Sequence, residues 1–156
     1  MDRIAIRRAA PDDAALLAQH RARVWREVGD WSDEALAPQI PVWEAWMRAK
    51  VADGTYAAWI AEDGAGDPVG SGAVLVHLAI PRPNWPSDRA GRVQSLYIVP
   101  DARRRGVARA LMDELMRYAR EAGLIFLALH PSDEARPLYA SLGFVQADEM
   151  ALRLSE

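Results

Sequence analysis

The chain of 156 residues contains no cysteine. Without a thiol it forms no disulfide, holds no metal through thiolates and passes no acyl group through a cysteine. The sequence also lacks an apolar run long enough to span a bilayer, and its first residues lack the pattern of a secretory signal peptide. We therefore expect a cytoplasmic protein that does not enter a membrane.

Neither sign of charge dominates the composition. The chain has 19 basic residues (Lys and Arg) against 22 acidic residues, which gives a formal net charge of −3. A mildly acidic body argues against general nucleic-acid binding. No internal repeat, low-complexity tract or linker divides the chain, and its length suffices for one hydrophobic core. The sequence thus predicts a single domain over residues 1–156.

One basic cluster, the three arginines at 103–105 followed by Gly106, separates a strand pattern from a helix pattern. The apolar residues at 96–99 have the composition of a strand. After the cluster, apolar residues recur at every fourth position and indicate an amphipathic helix: Val107, Leu111, Leu115 and Ala119. Cations at a helix N-terminus oppose the macrodipole unless an anion binds, and the free N–H groups there favour a phosphate. The alternative is a solvated basic turn before an ordinary core helix.

The rest of the pattern predicts an α+β fold in the order β-α-α-β-β-β-α-β-α-β-β. Strands are predicted at 3–8, 55–62, 69–80, 92–99, 124–130, 144–147 and 149–154. Helices are predicted at about 12–28, 42–52, 104–122 and 133–142. The expected topology is an antiparallel meander followed by a β-α-β crossover through the arginine cluster.

Two motifs resemble those of the GCN5-related N-acetyltransferases, the GNAT family. Arg103, Gly106 and Ala108 match its acetyl-CoA motif, which is Arg or Gln, two residues, Gly, one residue, then Gly or Ala. A second block is matched by residues 130–132, 136–139 and 142–144, in which a Leu-Tyr pair precedes a Gly-Phe pair. The order of elements is also that of GNAT domains, so the resemblance covers the whole chain. It implies the GNAT fold, a mixed and mostly antiparallel sheet of about seven strands with about four flanking helices.

The resemblance implies acetyl-CoA as cosubstrate and no metal. It assigns the diphosphate to the arginines and backbone N–H groups at the start of the predicted helix: Arg103, Arg104, Arg105, Gly106, Val107, Ala108 and Arg109. It assigns the pantetheine arm to backbone groups of Leu96, Tyr97 and Ile98, one of which would polarise the thioester carbonyl. Ser132 stands where many relatives have Asn, and either bonds the pantetheine or caps the helix that follows.

The resemblance places the general acid at Tyr139, which would protonate the departing thiolate. The alternative is an ordinary aromatic residue on the apolar face of a helix. The general base is not identified, because the glutamate that some relatives carry on the fifth strand corresponds here to Leu127. Candidates are Glu27, Asp30, Glu34, His77 and His130, each of which also reads as a surface or packed polar residue. We favour direct attack in a ternary complex, with the amine losing its proton to water.

The resemblance implies an acceptor pocket lined by the first two helices and nearby loops, and these segments here contain Trp25, Glu27 and Trp31. Aromatic and acidic groups together suit a cationic amine, whereas tryptophans at helical spacing also suit a core.

Three functions remain open: an N-acetyltransferase acting on a small-molecule amine, which we prefer, one acting on a protein or peptide N-terminus or lysine, and a catalytically silent acyl-CoA-binding module. The sequence leaves a homodimer open.

Overall fold

The central sheet has five strands in the order in which they occur along the chain. The computed structural model describes residues 3–155, so residues 1, 2 and 156 of the predicted domain lie outside the described residues. Four strands run antiparallel, namely β1 (Ala5–Arg8), β2 (Tyr56–Glu62), β3 (Pro68–Leu78) and β4 (Arg89–Ile98), and the short β5 (Leu127–Ala128) runs parallel to β4. The helices are α1 (Ala14–Gly29), α2 (Asp33–Leu36), α3 (Ile40–Asp53), α4 (Val107–Glu121) and α5 (Arg136–Ser141). Within residues 3–155, no helix combines the length and the hydropathy needed to cross a membrane.

Helices cover both faces of the sheet, as the packing of β2 shows. Ala58 and Ile60 belong to a buried cluster that includes residues of α1 and α3. Ala57 and Trp59 belong to a second cluster that includes residues of α4. Because successive side chains of a strand point to opposite faces, a strand covered on both faces must be apolar throughout. This explains the unbroken apolar run in β2, whose first six residues are all buried.

The α+β class, the antiparallel meander and the parallel β-α-β crossover are confirmed. The helix α4 begins three residues later than predicted, at Val107 instead of Arg104. The backbone explains the difference, because Arg104 (φ 63°) and Gly106 (φ 81°) adopt left-handed conformations that a right-handed helix excludes. The short α2 was not predicted; the Oγ atom of Ser32 accepts a hydrogen bond from the Ala35 N–H at its start.

Two predicted strands are absent from the part of the chain that the structure describes. Residues 144–147 and 149–154 form no strand, and β5 has two residues, so the sheet has five strands where about seven were predicted. Met150, Leu152 and Leu154 alternate with other residues as in a strand, but they are 99%, 82% and 91% exposed. Alternation expresses a preference for extended backbone, whereas a sheet strand also needs a neighbour for its backbone hydrogen bonds. The prediction of these two strands was therefore wrong.

A buried hydrogen bond ties α1 to the middle of the sheet. Nδ1 of His20 lies 2.8 Å from Oγ of Ser71 on β3, and both residues are 2% exposed. The imidazole also packs against the Tyr97 ring, with 5.1 Å between centroids. Burial lowers the pKa of His20 to about 4, and the positive charge of Arg23 acts in the same direction. A neutral imidazole thus holds α1 beside the end of β4.

Acid is expected to destabilise the fold through His20. Its folded pKa of about 4 lies below its ordinary value of 6.5, so between these values the unfolded chain binds a proton that the folded chain does not, and stability falls as the pH is lowered. One pKa unit is about 1.4 kcal/mol, so this residue accounts for a loss of up to about 3 kcal/mol. Urea unfolding at pH 7 and pH 4.5 measures the loss, which should be smaller in His20→Gln. Equal losses in both proteins would exclude His20 as the cause.

Candidate active site

The start of α4 is an open turn with free backbone donors. Gly106 is the N-cap residue in a left-handed conformation, and no side chain caps the helix there. The N–H groups of Val107, Ala108 and Arg109 belong to the first turn, where a helix supplies no carbonyl acceptors. A Cβ atom built on Gly106 would meet no other heavy atom within 4 Å, so the turn is open beside this residue. The turn is therefore shaped for an anion.

The four arginines around this turn have different surroundings. Arg103 donates from Nε to the Ile98 carbonyl at 2.9 Å and from Nη2 to both carboxylate oxygens of Glu27, at 2.9 and 2.7 Å. Arg109 donates to Oγ of Ser141 at 2.6 Å and so links α4 to α5. Arg104 and Arg105 are exposed and make no ion pair within residues 3–155. Arg103 thus fastens the turn to α1, whereas Arg104 and Arg105 are the side chains available to a phosphate.

The outer edge of β4 loses its neighbour halfway along the strand. Strand β5 pairs with Gly91 and Arg92, and in the described structure no strand continues this pairing towards Ile98. The predicted residues Leu96, Tyr97 and Ile98 lie on this unpaired stretch. Those of their backbone N–H and C=O groups that point away from β3 can therefore bind an extended polar chain as a further strand would. The carbonyl of Ile98 is partly occupied, because it accepts from Arg103.

A β-bulge lies at the inner end of this unpaired edge. The register between β3 and β4 shifts between Ser71 and Ala73, and Ser95 on β4 has a φ of 54°. A bulge re-aims the backbone groups beside it and is a common feature next to active sites. No sequence signal marks it, since a left-handed serine inside a strand is uncommon and no glycine is present at this position.

Tyr139 lies on α5 with its ring buried and 8% exposed. The ring packs edge-on against Phe144, with 5.8 Å between centroids, and belongs to the same apolar cluster as Val107 and Leu111 of α4. Burial raises the pKa of its hydroxyl, so the group is protonated at neutral pH. Among the described residues no hydrogen bond engages this hydroxyl, and no fully buried side-chain polar atom lacks a partner. The hydroxyl therefore reaches the surface, with its proton free to be donated.

Ser132 makes local contacts in the turn before α5. Its Oγ accepts from the N–H of Ala135 at 3.3 Å, and its carbonyl accepts from the N–H groups of Ala135 and Arg136, both at 3.1 Å. Because α5 begins at Arg136 with Ala135 as its N-cap and no side chain caps it, Ser132 closes a turn ahead of the helix and does not cap it. The hydroxyl proton remains available for a second bond.

The residues predicted for the acceptor lie at the C-terminal end of α1. Trp25 and Trp31 are 37% and 48% exposed and pack edge-on, with 5.8 Å between centroids. Glu27 is paired with Arg103.

Sequence reasoning missed Arg21, whose Nη1 donates to Oγ of Ser95 at 3.0 Å. The available signal was a cation on the apolar face of α1, where Leu17 lies four residues earlier.

The other candidates for a general base are either hydrogen-bonded to other groups or exposed to solvent. Nδ1 of His77 donates to the Leu78 carbonyl at 3.0 Å, and Arg92 donates to Nε2 of His130 at 3.0 Å. Asp30 is the left-handed C-cap of α1, and Glu34 is exposed on α2. Within the described range, no group of three or more His, Asp or Glu side chains could hold a metal ion.

Known proteins match this chain in sequence and in fold. Residues 17–144 match the model of the acetyltransferase (GNAT) family. A GCN5-related N-acetyltransferase from Ralstonia eutropha JMP134 is 31% identical, with a TM-score of 0.87 over 97% of this chain and 99% of that chain. A predicted acetyltransferase from Clostridium acetobutylicum, crystallised with acetyl-CoA, is 25% identical, with a TM-score of 0.85 over 98% and 96% of the two chains. The glucosamine-6-phosphate N-acetyltransferase of Arabidopsis thaliana, 14% identical, shares the fold with a TM-score of 0.67 over 98% and 99%.

Proposed function

Because this chain belongs to the acetyltransferase (GNAT) family, we propose that it moves the acetyl group of acetyl-CoA to a primary amine on a small molecule. One observation carries the proposal: the uncapped start of α4 follows a strand whose edge is unpaired beyond Arg92. The first turn of α4 can bind an anion, and the unpaired edge of β4 can bind an extended polar chain. Coenzyme A has both parts, a diphosphate and a pantetheine arm joined to it. A single domain over 1–156, a cytoplasmic location and a homodimer stay predictions from the sequence.

The described residues fit acetyl-CoA, which supplies an activated acetyl carbon and a thiolate leaving group when bound. The N–H groups of Val107, Ala108 and Arg109 would hold the diphosphate, and Arg104 and Arg105 would add positive charge. The open space at Gly106 is what a close approach of that diphosphate needs.

Along β4, backbone groups of Leu96, Tyr97 and Ile98 would align the arm, with one N–H aimed at the carbonyl oxygen. In the reaction, the nitrogen lone pair of a neutral amine attacks the acetyl carbon, a C–N bond forms and the C–S bond breaks. The sulfur takes the electron pair of the broken bond and a proton from Tyr139, whose hydroxyl is protonated and accessible.

The nitrogen gives up its own proton to water, which returns one to Tyr139. We favour water as the base because Glu27, the carboxylate at the C-terminal end of α1, is held by both oxygens to Arg103.

The arginine cluster offers a test that separates cofactor binding from folding. Arg105→Gln is expected to weaken acetyl-CoA binding about tenfold, because a charge-assisted bond to phosphate is lost, with no change in melting temperature. Arg103→Gln is expected to lower the melting temperature by about 2–4 °C, because it breaks the link to Glu27 and Ile98. Calorimetric titration with acetyl-CoA and thermal unfolding give both readouts. A stable Arg103→Gln protein with a tenfold loss of affinity would place Arg103 on the phosphate instead.

Release of free coenzyme A tests the proposed function itself. The assay offers acetyl-CoA with a panel of polyamines, aminoglycosides, amino acids and N-terminal peptides, and detects the thiol chemically. Release that needs a small amine supports the proposal, and release with peptides alone supports the protein-acetylating alternative. Binding of acetyl-CoA without release towards any amine identifies a silent acyl-CoA-binding module. No binding at all overturns the account of α4 and β4.

A further inference from the structure

Arg21 on α1 is a half-buried cation without a carboxylate partner among residues 3–155. Its Nη1 atom donates to Oγ of Ser95 at 3.0 Å, which commits one of the five N–H donors of a guanidinium. Burial lowers the pKa of the group, yet arginine keeps its charge at physiological pH. Removing a charge from water without a counter-charge costs free energy. The surroundings of Arg21 therefore favour an added anion.

Two carboxylates of the segment that contains α1 and α2 are paired with other arginines. Glu27, on the same helix, is held by both oxygens to Arg103 at 2.9 and 2.7 Å. Asp33, just after α1, pairs with Arg26. Either carboxylate would have to leave its own arginine to neutralise Arg21. Asp30 and Glu34, which make no ion pair within residues 3–155, do not pair with Arg21 either.

Two indole rings border the guanidinium. Its central carbon lies 5.7 Å from the centroid of Trp25 and 5.1 Å from that of Trp43. Such contacts hold a guanidinium by its face and leave the N–H groups at its edge free. An oxyanion with two oxygens matches that edge in a bidentate arrangement.

The position of Arg21 places such an anion beside the proposed reaction centre. Ser95, its hydrogen-bond partner, is the left-handed residue of the β4 bulge and directly precedes Leu96 on the proposed pantetheine edge. A small acceptor whose anionic group binds Arg21 would therefore hold its amine near the thioester carbonyl.

We propose that Arg21 binds the carboxylate or phosphate of the acceptor, which is thus a primary amine that carries an anionic group a few bonds from its nitrogen. This inference rests on the proposed acetyl transfer. It differs from the cationic acceptor expected from Trp25, Glu27 and Trp31, because a guanidinium of the protein itself already faces Trp25 and Glu27 is neutralised by Arg103.

Paired acceptors that differ in charge test the inference. Coenzyme A release is measured with glycine against glycinamide, phenylalanine against phenylalaninamide, and phosphoethanolamine against ethanolamine. The unmodified protein should favour the anionic member of at least one pair about tenfold or more in kcat/KM, as expected for a charge-assisted bidentate contact. The amino-acid pairs report a carboxylate acceptor, and the third pair reports a phosphate acceptor.

Three variants assign the preference to Arg21. Arg21→Gln should bring the anionic-to-neutral ratio close to one, mainly through KM, and Arg21→Lys should retain part of it. Arg23→Gln removes another cation from α1, one that faces the Tyr97 ring at 5.9 Å, and should keep the ratio. Circular dichroism and melting temperature establish that each variant is folded.

The outcomes separate this inference from the proposed function. Release without any preference for the anionic acceptors, or a ratio that Arg21→Gln and Arg21→Lys leave unchanged, overturns the role of Arg21 and leaves the acetyl transfer standing. If Arg23→Gln lowers the anionic-to-neutral ratio of kcat/KM as much as Arg21→Gln does, the preference comes from the summed positive charge of α1. That result also overturns the role of Arg21. Absence of release with every amine overturns the proposed function, and the acceptor inference with it.

Discussion

Tyr139→Phe is expected to lower kcat about 100-fold and to leave the Kd of acetyl-CoA almost unchanged. The substitution removes one hydroxyl, which is the proton donor proposed for the departing sulfur, and general acids contribute about 10²–10⁴-fold. The ring itself remains, so its packing against Phe144 and the apolar cluster that includes α4 is preserved. Steady-state kinetics and calorimetric titration measure the two quantities separately.

Tyr118→Phe is the matched control for this result. Tyr118 on α4 packs against Trp59, with 5.2 Å between centroids, on a part of the helix remote from its start. Loss of its hydroxyl should leave kcat within about twofold, because the ring keeps its packing and the hydroxyl lies away from the proposed site. If Tyr139→Phe behaves in the same way as this control, Tyr139 is an ordinary aromatic residue of α5 and water protonates the thiolate.

Gly106→Ala is expected to raise the Kd of acetyl-CoA at least about tenfold. The substitution strains the backbone of the turn, and it adds a methyl group where the ligand is proposed to bind. A residue with a Cβ atom loses about 1–2 kcal/mol in the left-handed conformation that Gly106 adopts, with a φ of 81°. The methyl group also occupies the open space beside Gly106, through which the diphosphate is proposed to approach the start of α4. Isothermal titration with acetyl-CoA gives the affinity directly.

Gly123→Ala separates the two effects. Gly123 follows the other end of α4, has a φ of 69°, and a Cβ atom built on it also meets nothing within 4 Å. Both variants should therefore lose similar stability in urea unfolding, whereas Gly106→Ala alone should lose affinity. A similar Kd for the two variants would show that the start of α4 is not the diphosphate site.

Local sequence predicted much of the fold because the relevant preferences are local. The four-residue repeat of apolar side chains predicted α4, and the strand predicted at 55–62 is β2 in the structure. The same reasoning failed at 144–154, where the alternation of Met150, Leu152 and Leu154 is present but no strand pairs with it. Periodicity describes what a segment prefers, and pairing depends on what lies beside it.

Within the candidate site, the sequence could not predict that the three arginines of the cluster make different contacts. Arg103, Arg104 and Arg105 are chemically alike in the sequence, yet Arg103 alone is bound to Glu27, 76 residues away along the chain. A side chain selects its partner according to which helix end packs near it, and that follows from the packing of α1 on the sheet. The unpaired edge of β4 is similar, because it depends on where β5 stops.

The sequence by itself determined the order of the five strands and of four of the five helices within residues 3–155, the glycine at the basic turn and the two motifs of the GNAT family, because spacing and residue type are properties of a short segment. Tertiary structure alone decided that Glu27 neutralises Arg103, that Ser95 bends β4 and that Arg21 lies half-buried between tryptophans with donors to spare. These are relations between distant segments, and burial and ion pairing take effect once folding has brought the segments together.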